Sequence, residues 1–255
     1  MKSKNIIEQW KKDEAAPFKG WDFSYIKDRI IEEEPPWDYK NLAKKLVEKS
    51  SAVLDVATGG GEIFSSFAPF SKRAVAIEGY TPNVAVAKKR LEPFGVEVLE
   101  VNEVDILPFA DEEFDLVLNR HGGLRIQEVF RVLKKGGLFL TQQVGGDNLL
   151  DLMAVFNIEP KWPDNVLSVV QKKITDIGFE ILKSEEWKGK IIFKDVGAVV
   201  YFLKAIPWTV DNFSVDIHLI YLEKLQEELE KSGRLEFTYT RFLILAKKKF
   251  QARKI

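Results

Sequence analysis

Short apolar runs alternate with amphipathic segments between about residues 50 and 145. The apolar runs favour β-strands, because they are rich in Val, Leu and Ile and are bounded by turn residues. Five strands are predicted in this part of the chain, at residues 52–56, 74–77, 96–101, 114–118 and 138–144. Helices are predicted between them, at residues 62–70, 83–94 and 124–133. This alternation is typical of an α/β fold, in which helices cover both faces of a mostly parallel sheet.

The chain after Gly145-Gly146 has a less regular pattern. Two more strands are predicted, together with three helices, at residues 166–177 (helix), 179–187 (strand), 197–208 (helix), 215–231 (helix) and 235–246 (strand). The sheet is therefore expected to have seven strands. Residues 1–45 are predicted to form a helical extension or lid on a domain at 46–255. Residues 190–233 are predicted to be a helical insertion in that domain that contributes to a ligand pocket.

The composition narrows the classes of function. Apolar residues make up 45% and charged residues 30%, as in ordinary globular proteins. The formal net charge of −1 provides no field for a polyanion, so neither a nucleic-acid partner nor a membrane partner is expected. The absence of cysteine excludes disulfides, cysteine–zinc sites and thiol nucleophiles. No apolar run reaches signal-peptide length or the roughly 18 residues of a membrane span, so we expect a cytoplasmic protein.

The sequence VLDVATGGGEIF at residues 53–64 is the strongest candidate for binding chemistry. A strand that ends near Asp55 is followed by three glycines, which permit a sharp turn or the close approach of a ligand. This pattern alone also fits a simple tight turn. Glu78, however, ends the next strand roughly 20 residues later, where a carboxylate can accept hydrogen bonds from a ribose diol.

The loop does not favour a dinucleotide. A pyrophosphate site requires G-x-G-x-x-G over a helix amino terminus, whereas this loop is followed directly by Glu62. A carboxylate in the first helical turn would repel a phosphate and tolerate a cation. A cationic sulfonium ligand therefore fits the loop better.

These residues resemble the first motif of class I methyltransferases dependent on S-adenosylmethionine, and the chain is similar to methyltransferase type 11 domains. The family's acidic residue and G-x-G-x-G align with Asp55, Ala57, Gly59 and Gly61. Ala57 replaces the first glycine, which is tolerable if its φ is negative. The resemblance implies a Rossmann-like methyltransferase sheet, S-adenosylmethionine as cofactor and S-adenosylhomocysteine as product.

Three further segments carry the resemblance, namely Glu78, the stretch from Val104 to Val117, and the turn Gly136-Gly137. The family's ribose acid aligns with Glu78. The residues with which the family contacts the adenine align with Asp105 and the backbone N–H of Ile106. The cofactor-binding set implied by the resemblance is Asp55, Ala57, Thr58, Gly59, Gly61, Glu78, Gly79, Tyr80, Asp105, Ile106 and Asn119. In that set Tyr80 provides an adenine face, because Gly79 stands where relatives have an apolar residue.

The acceptor is expected beyond the fourth predicted strand, at Asn119-Arg120-His121-Gly122-Gly123. His121 is the candidate general base, since its ordinary pKa lies near neutral pH; alternatively it only shapes the pocket wall. Asn119 is expected to contact the amino-acid portion of the cofactor through its backbone carbonyl. For His218, in a late helix, a structural role is preferred.

Several absences restrict the acceptor. The stretch after Asn119 lacks the [N/D]-P-P-[F/Y/W] sequence of DNA amino methyltransferases, and no ligand spacing indicates a metal. Aromatic residues on both sides of the cofactor segment fit either core packing or a lid over an acceptor pocket. The predicted function is methyl transfer to a small, partly apolar or aromatic molecule by a monomer or homodimer. The alternatives are an RNA base methyltransferase, supported only by Lys247–Lys249, Arg253 and Lys254, and a non-catalytic S-adenosylmethionine-binding protein.

Overall fold

The computed structural model describes residues 2–18, 21–101 and 106–249. The strands of this part of the chain form one sheet of eight, in the order β1-β7-β8-β6-β5-β2-β3-β4. The strands are β1 (Ile30–Glu32), β2 (Ala52–Val56), β3 (Arg73–Glu78), β4 (Glu97–Glu100), β5 (Phe114–Arg120), β6 (Leu133–Val144), β7 (Phe179–Phe193) and β8 (Leu235–Lys248). The α/β class and the mostly parallel sheet predicted from the sequence are confirmed.

The strand count differs from the prediction by one. All seven predicted strands are present, and β1 adds an eighth at the edge of the sheet, where Ile31 pairs antiparallel with Ile192 of β7. β7 also runs on to Phe193 instead of ending at residue 187. Pairing with β1 provides partners for this additional length. The pattern did not indicate β1, because three residues among charges carry too little periodicity.

The parallel strands carry the candidate site at their carboxyl ends. β2 pairs in parallel with β3 and β5, so Val56 lies opposite Ile77 on one side and Asn119 on the other. β5 pairs in parallel with β6, which places Arg120 opposite Gln142. These strands are continuous apolar runs because helices cover both faces of a parallel sheet.

The described residues form nine α-helices: α1 (Lys2–Ala15), α2 (Tyr39–Val47), α3 (Glu62–Ser65), α4 (Thr81–Leu91), α5 (Ile126–Val132), α6 (Leu150–Val155), α7 (Leu167–Ile177), α8 (Val196–Ala205) and α9 (Leu219–Ser232). Asp38 caps α2 by accepting a hydrogen bond from the Asn41 N–H at 2.9 Å. α6 was not predicted, and α3 is shorter than the predicted 62–70. The Ser66 hydroxyl bonds back to the Ile63 carbonyl at 2.6 Å, where the backbone leaves the helix.

The chain divides into two compact units, each assembled from separate segments. One unit contains residues up to 35, 146–163 and 187–240, and the other contains 36–145, 164–186 and the residues from 241 onward. We refer to them as the helical unit and the loop-bearing unit. Each has its own buried apolar core. The domain boundaries expected from the sequence, 1–45 and 46–255, stay predictions.

A buried ionic network holds three segments of the helical unit together. Asp13 of α1 is fully buried and accepts a hydrogen bond from Arg29 at 2.8 Å and another from the Tyr25 hydroxyl at 2.9 Å. Arg29 also pairs with Asp195, which caps α8 through the Ala198 N–H. Because Asp13 has no access to water, Arg29 provides its charge compensation.

Candidate functional site

The glycine loop lies between β2 and α3 and is tightly folded. The Thr58 N–H donates to the Ile77 carbonyl at 3.0 Å, and the Gly61 N–H donates to the Thr58 carbonyl at 3.1 Å. Gly59 and Gly61 have φ of 63° and 79°, in the left-handed region. A Cβ at Gly61 would lie 2.8 Å from the Leu91 side chain. The glycines therefore allow both the backbone conformation and the packing of this loop.

Ala57 does not satisfy the condition set for it from the sequence. Its φ is +59°, so the family's glycine position is left-handed here as well. A residue with a Cβ is strained in this region by about 1–2 kcal/mol. The Ala57 methyl lies against Gly122, where an added Cβ would be only 2.4 Å from it. The loop thus retains the glycine-like conformation at Ala57, and Gly122 provides the space for the methyl.

Glu78 fixes the glycine loop at the end of β3. Its carboxylate accepts one hydrogen bond from the Gly59 N–H at 2.7 Å and another from the Tyr80 N–H at 2.8 Å. The residue is 7% exposed. A carboxylate can also accept hydrogen bonds from hydroxyl groups, and this one lies beside the glycine loop. The structure thus brings Glu78 and the loop together, while the ribose contact stays a prediction.

Asp55 is a desolvated carboxyl beside this loop. Burial raises its pKa to about 7; the Thr58 hydroxyl and Arg120 lower it, and the Glu78 charge raises it. The Thr58 Oγ1 is buried and near enough to the Asp55 carboxyl to lower its pKa, yet it meets the full geometry of a hydrogen bond with no group among the described residues. A buried hydroxyl without a partner, next to a carboxyl that is desolvated, is typical of a site completed by a polar ligand.

The charge of Glu62 is compensated within the protein. Its carboxylate pairs with Arg90, and the same guanidinium donates to the Gly60 carbonyl. The sequence argument treated Glu62 as an unopposed anion that would select a cationic ligand. That argument is weakened, because Arg90 provides the counter-charge from α4. Asp55 and Glu78 are the other acidic groups beside the loop.

Asn119 is buried at the end of β5 and belongs to a polar network. Its Oδ1 accepts from the Thr141 hydroxyl at 3.2 Å and from the Gln143 amide, and its Nδ2 donates to the Val56 carbonyl at 3.4 Å. Both ends of the side chain therefore have partners within the protein. The expected contact through the Asn119 backbone carbonyl stays a prediction.

Tyr80 and Ile106 are two of the residues predicted to contact the adenine, and both lie among the described residues. Tyr80 is 62% exposed and Ile106 is 75% exposed, which is unusual for large apolar side chains. Gly79 lies between Glu78 and Tyr80 at the amino-terminal side of α4. Asp105 lies outside the described residues.

His121 follows β5 with a left-handed φ of +60°, and its backbone N–H donates to the Gln142 carbonyl at 2.8 Å. Its Nε2 lies 3.0 Å from the Gln142 Nε2, and the Gln142 Oε1 accepts from the Trp37 indole N–H at 2.7 Å. The surrounding protein desolvates His121 and lowers its pKa well below 6.5, as do the charges of Arg120 and Arg241. The residue is nevertheless exposed, so a ligand can reach it.

Sequence reasoning missed Gln142 and Trp37. Trp37 is one of the aromatic residues before the cofactor segment, for which the sequence indicates either core packing or a lid, and Gln142 lies in a predicted strand with no predicted role. The only available signal was that Gln142 and Gln143 are adjacent amides at the carboxyl end of an otherwise apolar strand. In a parallel sheet such residues lie next to those that follow the neighbouring strands.

Other candidate residues lie in the helical unit. His218 is the residue before α9; it is 9% exposed and stacks on Phe213 with ring centroids 5.3 Å apart. This environment suits the structural role preferred for it. Trp10 is 4% exposed and belongs to the core, whereas Trp21 and Trp162 are more than half exposed.

No helix in the described part of the chain is long and apolar enough to cross a membrane. No cluster of metal-ligating side chains occurs within the described ranges.

The mostly parallel sheet, flanked by helices, matches the Rossmann-like fold of methyltransferases. Residues 54–141 match the family model described as "Methyltransferase domain". This span runs from β2 into β6 and includes the loop, Glu78 and His121. The match confirms, over these residues, the resemblance drawn from the sequence motifs. A comparison with curated protein sequences finds no significant match.

Solved structures share the fold. A candidate methyltransferase from Bacillus halodurans C-125 is 24% identical with a TM-score of 0.58, and the match covers 81% of this chain and 98% of that one. The YcgJ protein from Bacillus subtilis is 19% identical with a TM-score of 0.57, covering 83% and 98%. A candidate sarcosine dimethylglycine methyltransferase from Galdieria sulphuraria is 13% identical with a TM-score of 0.51, covering 82% and 83%. At these identities the likeness shows the fold alone.

Proposed function

We propose that this protein is an S-adenosylmethionine-dependent methyltransferase that acts on a small, partly apolar or aromatic molecule. The observation that carries the proposal is the Glu78 carboxylate bound to the Gly59 N–H at 2.7 Å, within the matched domain. This contact joins the acidic end of β3 to the glycine loop after β2. A nucleoside held there would meet a ribose-binding carboxylate and a loop backbone free of side chains.

The residues present fit this cofactor. The Thr58 hydroxyl, which has no hydrogen-bond partner among the described residues, and the desolvated Asp55 carboxyl suit polar and cationic groups of the cofactor, and the Glu78 carboxylate lies at the loop where ribose hydroxyls would bind. Tyr80 and Ile106 offer exposed apolar surface for a base. When bound, S-adenosylmethionine supplies a methyl group on a sulfonium. The chain would position the acceptor in line with that methyl group, and positioning accounts for most of the rate in such reactions.

A nucleic-acid acceptor has little support from charge. Lys248, in the middle of the basic run Lys247–Lys249, is 7% exposed and donates to the carbonyls of Phe130 and Leu133 at 2.7 Å each. It satisfies the carboxyl end of α5 and is not part of a basic surface. Arg253 and Lys254 lie outside the described residues. A small-molecule acceptor therefore remains the proposal, and a cytoplasmic location is proposed with it.

Calorimetry with S-adenosylhomocysteine and with NAD tests the cofactor assignment. We expect binding of S-adenosylhomocysteine and weak or no binding of NAD; a preference for NAD would overturn the proposal. Transfer of labelled methyl groups into fractionated small metabolites and into RNA then tests the acceptor class. Label in RNA alone would favour the RNA methyltransferase, and cofactor binding without any transfer would favour a non-catalytic binder.

A further inference from the structure

Trp37, Gln142 and His121 form a chain of hydrogen bonds in the loop-bearing unit, which we call the relay. The Trp37 Nε1 donates to the Gln142 Oε1 at 2.7 Å, and the Gln142 Nε2 lies 3.0 Å from the His121 Nε2. Trp37 is 8% exposed and Gln142 is 5% exposed. Water therefore has little access to either of them, and the relay is fixed by protein partners.

The donor and acceptor chemistry of the relay determines where the His121 proton lies. An indole N–H can only donate, so the atom of Gln142 that faces Trp37 is its carbonyl oxygen. The other end of the amide is then an NH₂ group, which also can only donate. The His121 Nε2 must accept this hydrogen bond, so it carries no proton. The ring is thus neutral with its proton on Nδ1.

The surroundings of His121 favour the same state. The charged groups that act on its ring are Arg120, beside it on β5, and Arg241 of β8, and both disfavour an imidazolium. The His121 backbone is left-handed, and its N–H donates to the Gln142 carbonyl. No described residue accepts a hydrogen bond from Nδ1, and the residue is exposed. Nδ1–H is therefore the polar group that His121 offers to a ligand.

We propose that Gln142 and Trp37 are positioning residues that hold His121 as a neutral hydrogen-bond donor. His121 then recognises an accepting oxygen of the methyl acceptor, such as a carboxylate or carbonyl, and does not remove its proton. A general base at this position would need the Nε2 lone pair, which Gln142 already occupies. The recognition part of this inference rests on the proposed function, whereas the proton position does not.

Nitrogen-15 NMR of the full chain, labelled at histidine, tests the proton position. The chain has two histidines, so a His121→Asn spectrum assigns the signals of His121 by their loss. At pH 7 we expect the His121 Nδ1 at the shift of a protonated ring nitrogen and Nε2 at that of an unprotonated one. A protonated Nε2, or two equivalent protonated nitrogens, would overturn the proposal.

Two variants test whether the relay sets this state. Gln142→Glu keeps an oxygen for Trp37 and replaces the amide donor with an acceptor, so the proton should move to Nε2. Trp37→Phe lets the Gln142 amide turn over, so both tautomers should be populated. Gln171→Glu, the same change on α7 where the side chain bonds to Ser184, should leave the His121 spectrum unchanged. An unaltered His121 spectrum in Gln142→Glu would contradict the positioning role.

Recognition is tested with benzoate and benzylamine as probes, each added with S-adenosylhomocysteine. Benzoate should shift the His121 Nδ1 signal in the wild type and not in Gln142→Glu, while benzylamine should shift it in neither protein. A shift with benzylamine, or none with benzoate, would refute recognition of an oxygen. If S-adenosylhomocysteine does not bind in calorimetry, the proposed function is wrong. The proton position of His121 is measured without this ligand, so its test is independent of that result.

Discussion

Replacing Glu78 by alanine should weaken cofactor binding and loosen the glycine loop together. The carboxylate accepts hydrogen bonds from the Gly59 N–H and the Tyr80 N–H, at 2.7 and 2.8 Å. A hydrogen bond to a charged group contributes about 1.5–3 kcal/mol, and a buried N–H left without a partner costs about 1–3 kcal/mol. Gly59 is buried, so water cannot easily replace the carboxylate there.

We expect Glu78→Ala to lower the free energy of unfolding by about 1.5–3 kcal/mol in the absence of ligand. The lost ribose bonds should raise the Kd of S-adenosylhomocysteine roughly 10- to 150-fold. Calorimetry at 25 °C measures the second effect, and denaturant unfolding measures the first. The experiment thus separates the structural role of the carboxylate, which is observed, from its role with the cofactor, which is proposed.

Glu100→Ala is the matched control. Glu100 lies opposite Glu78 in the β3–β4 register but is exposed, and it accepts from the Thr81 hydroxyl at 2.6 Å. Its removal should change the free energy of unfolding by less than about 0.5 kcal/mol and leave the Kd unchanged. A Glu78→Ala protein that unfolds more easily, yet binds S-adenosylhomocysteine within twofold of the wild type, would refute the ribose assignment.

Three further predictions concern stability. Ala57→Gly should raise the Tm by roughly 1–3 °C, because the strain of a left-handed alanine is larger than the conformational entropy that glycine adds to the unfolded chain. A lower Tm would mean that the methyl contact with Gly122 stabilises the fold by more than the strain costs. Burial raises the pKa of Asp55 to about 7, so its protonated form contributes stability below about pH 4 that is lost as the pH rises through 7. The Tm advantage of Asp55→Asn over the wild type should therefore grow between pH 4 and 7 and then level off, and a pH-independent difference would contradict the assigned pKa. Arg29→Ala leaves the buried Asp13 charge uncompensated and should lower the free energy of unfolding by about 3–5 kcal/mol. Lys172→Ala, which removes an exposed ion pair, is the control and should lower it by less than about 0.5 kcal/mol. Equal effects of the two substitutions would refute the role of the buried network.

Local patterns were sufficient to predict the sheet and part of the site. Alternating apolar runs predicted seven strands, and the distance from Asp55 to Glu78 placed two acidic residues at the ends of adjacent strands. Such features depend on periodicity and on the geometry of parallel strands, which apply to any chain. The inference that Glu62 would select a cationic ligand was weakened, because Arg90 of α4 pairs with its carboxylate. The sequence gives no sign of this pair.

The remaining features depend on contacts that sequence spacing does not encode. Trp37 and Gln142 are 105 positions apart, and neither has a pattern that points to the other. The positive φ of Ala57 follows from how the loop closes against Gly122, and an alanine in the sequence argues against it. β1 pairs with the part of β7 that lies beyond its predicted end, so the pattern of β1 alone could not indicate it.

The discontinuous composition of the two units has a consequence for synthesis on the ribosome. Helix α1 packs on α8, which begins at Val196, and β6 pairs with β8, which begins at Leu235. At ordinary elongation rates α1 waits roughly 10–40 s for its partner, with Trp10 and its apolar neighbours uncovered. Neither unit can complete its core before the last strand emerges. Because both units are completed only by the end of the chain, we expect that no single cut yields two fragments that fold by themselves.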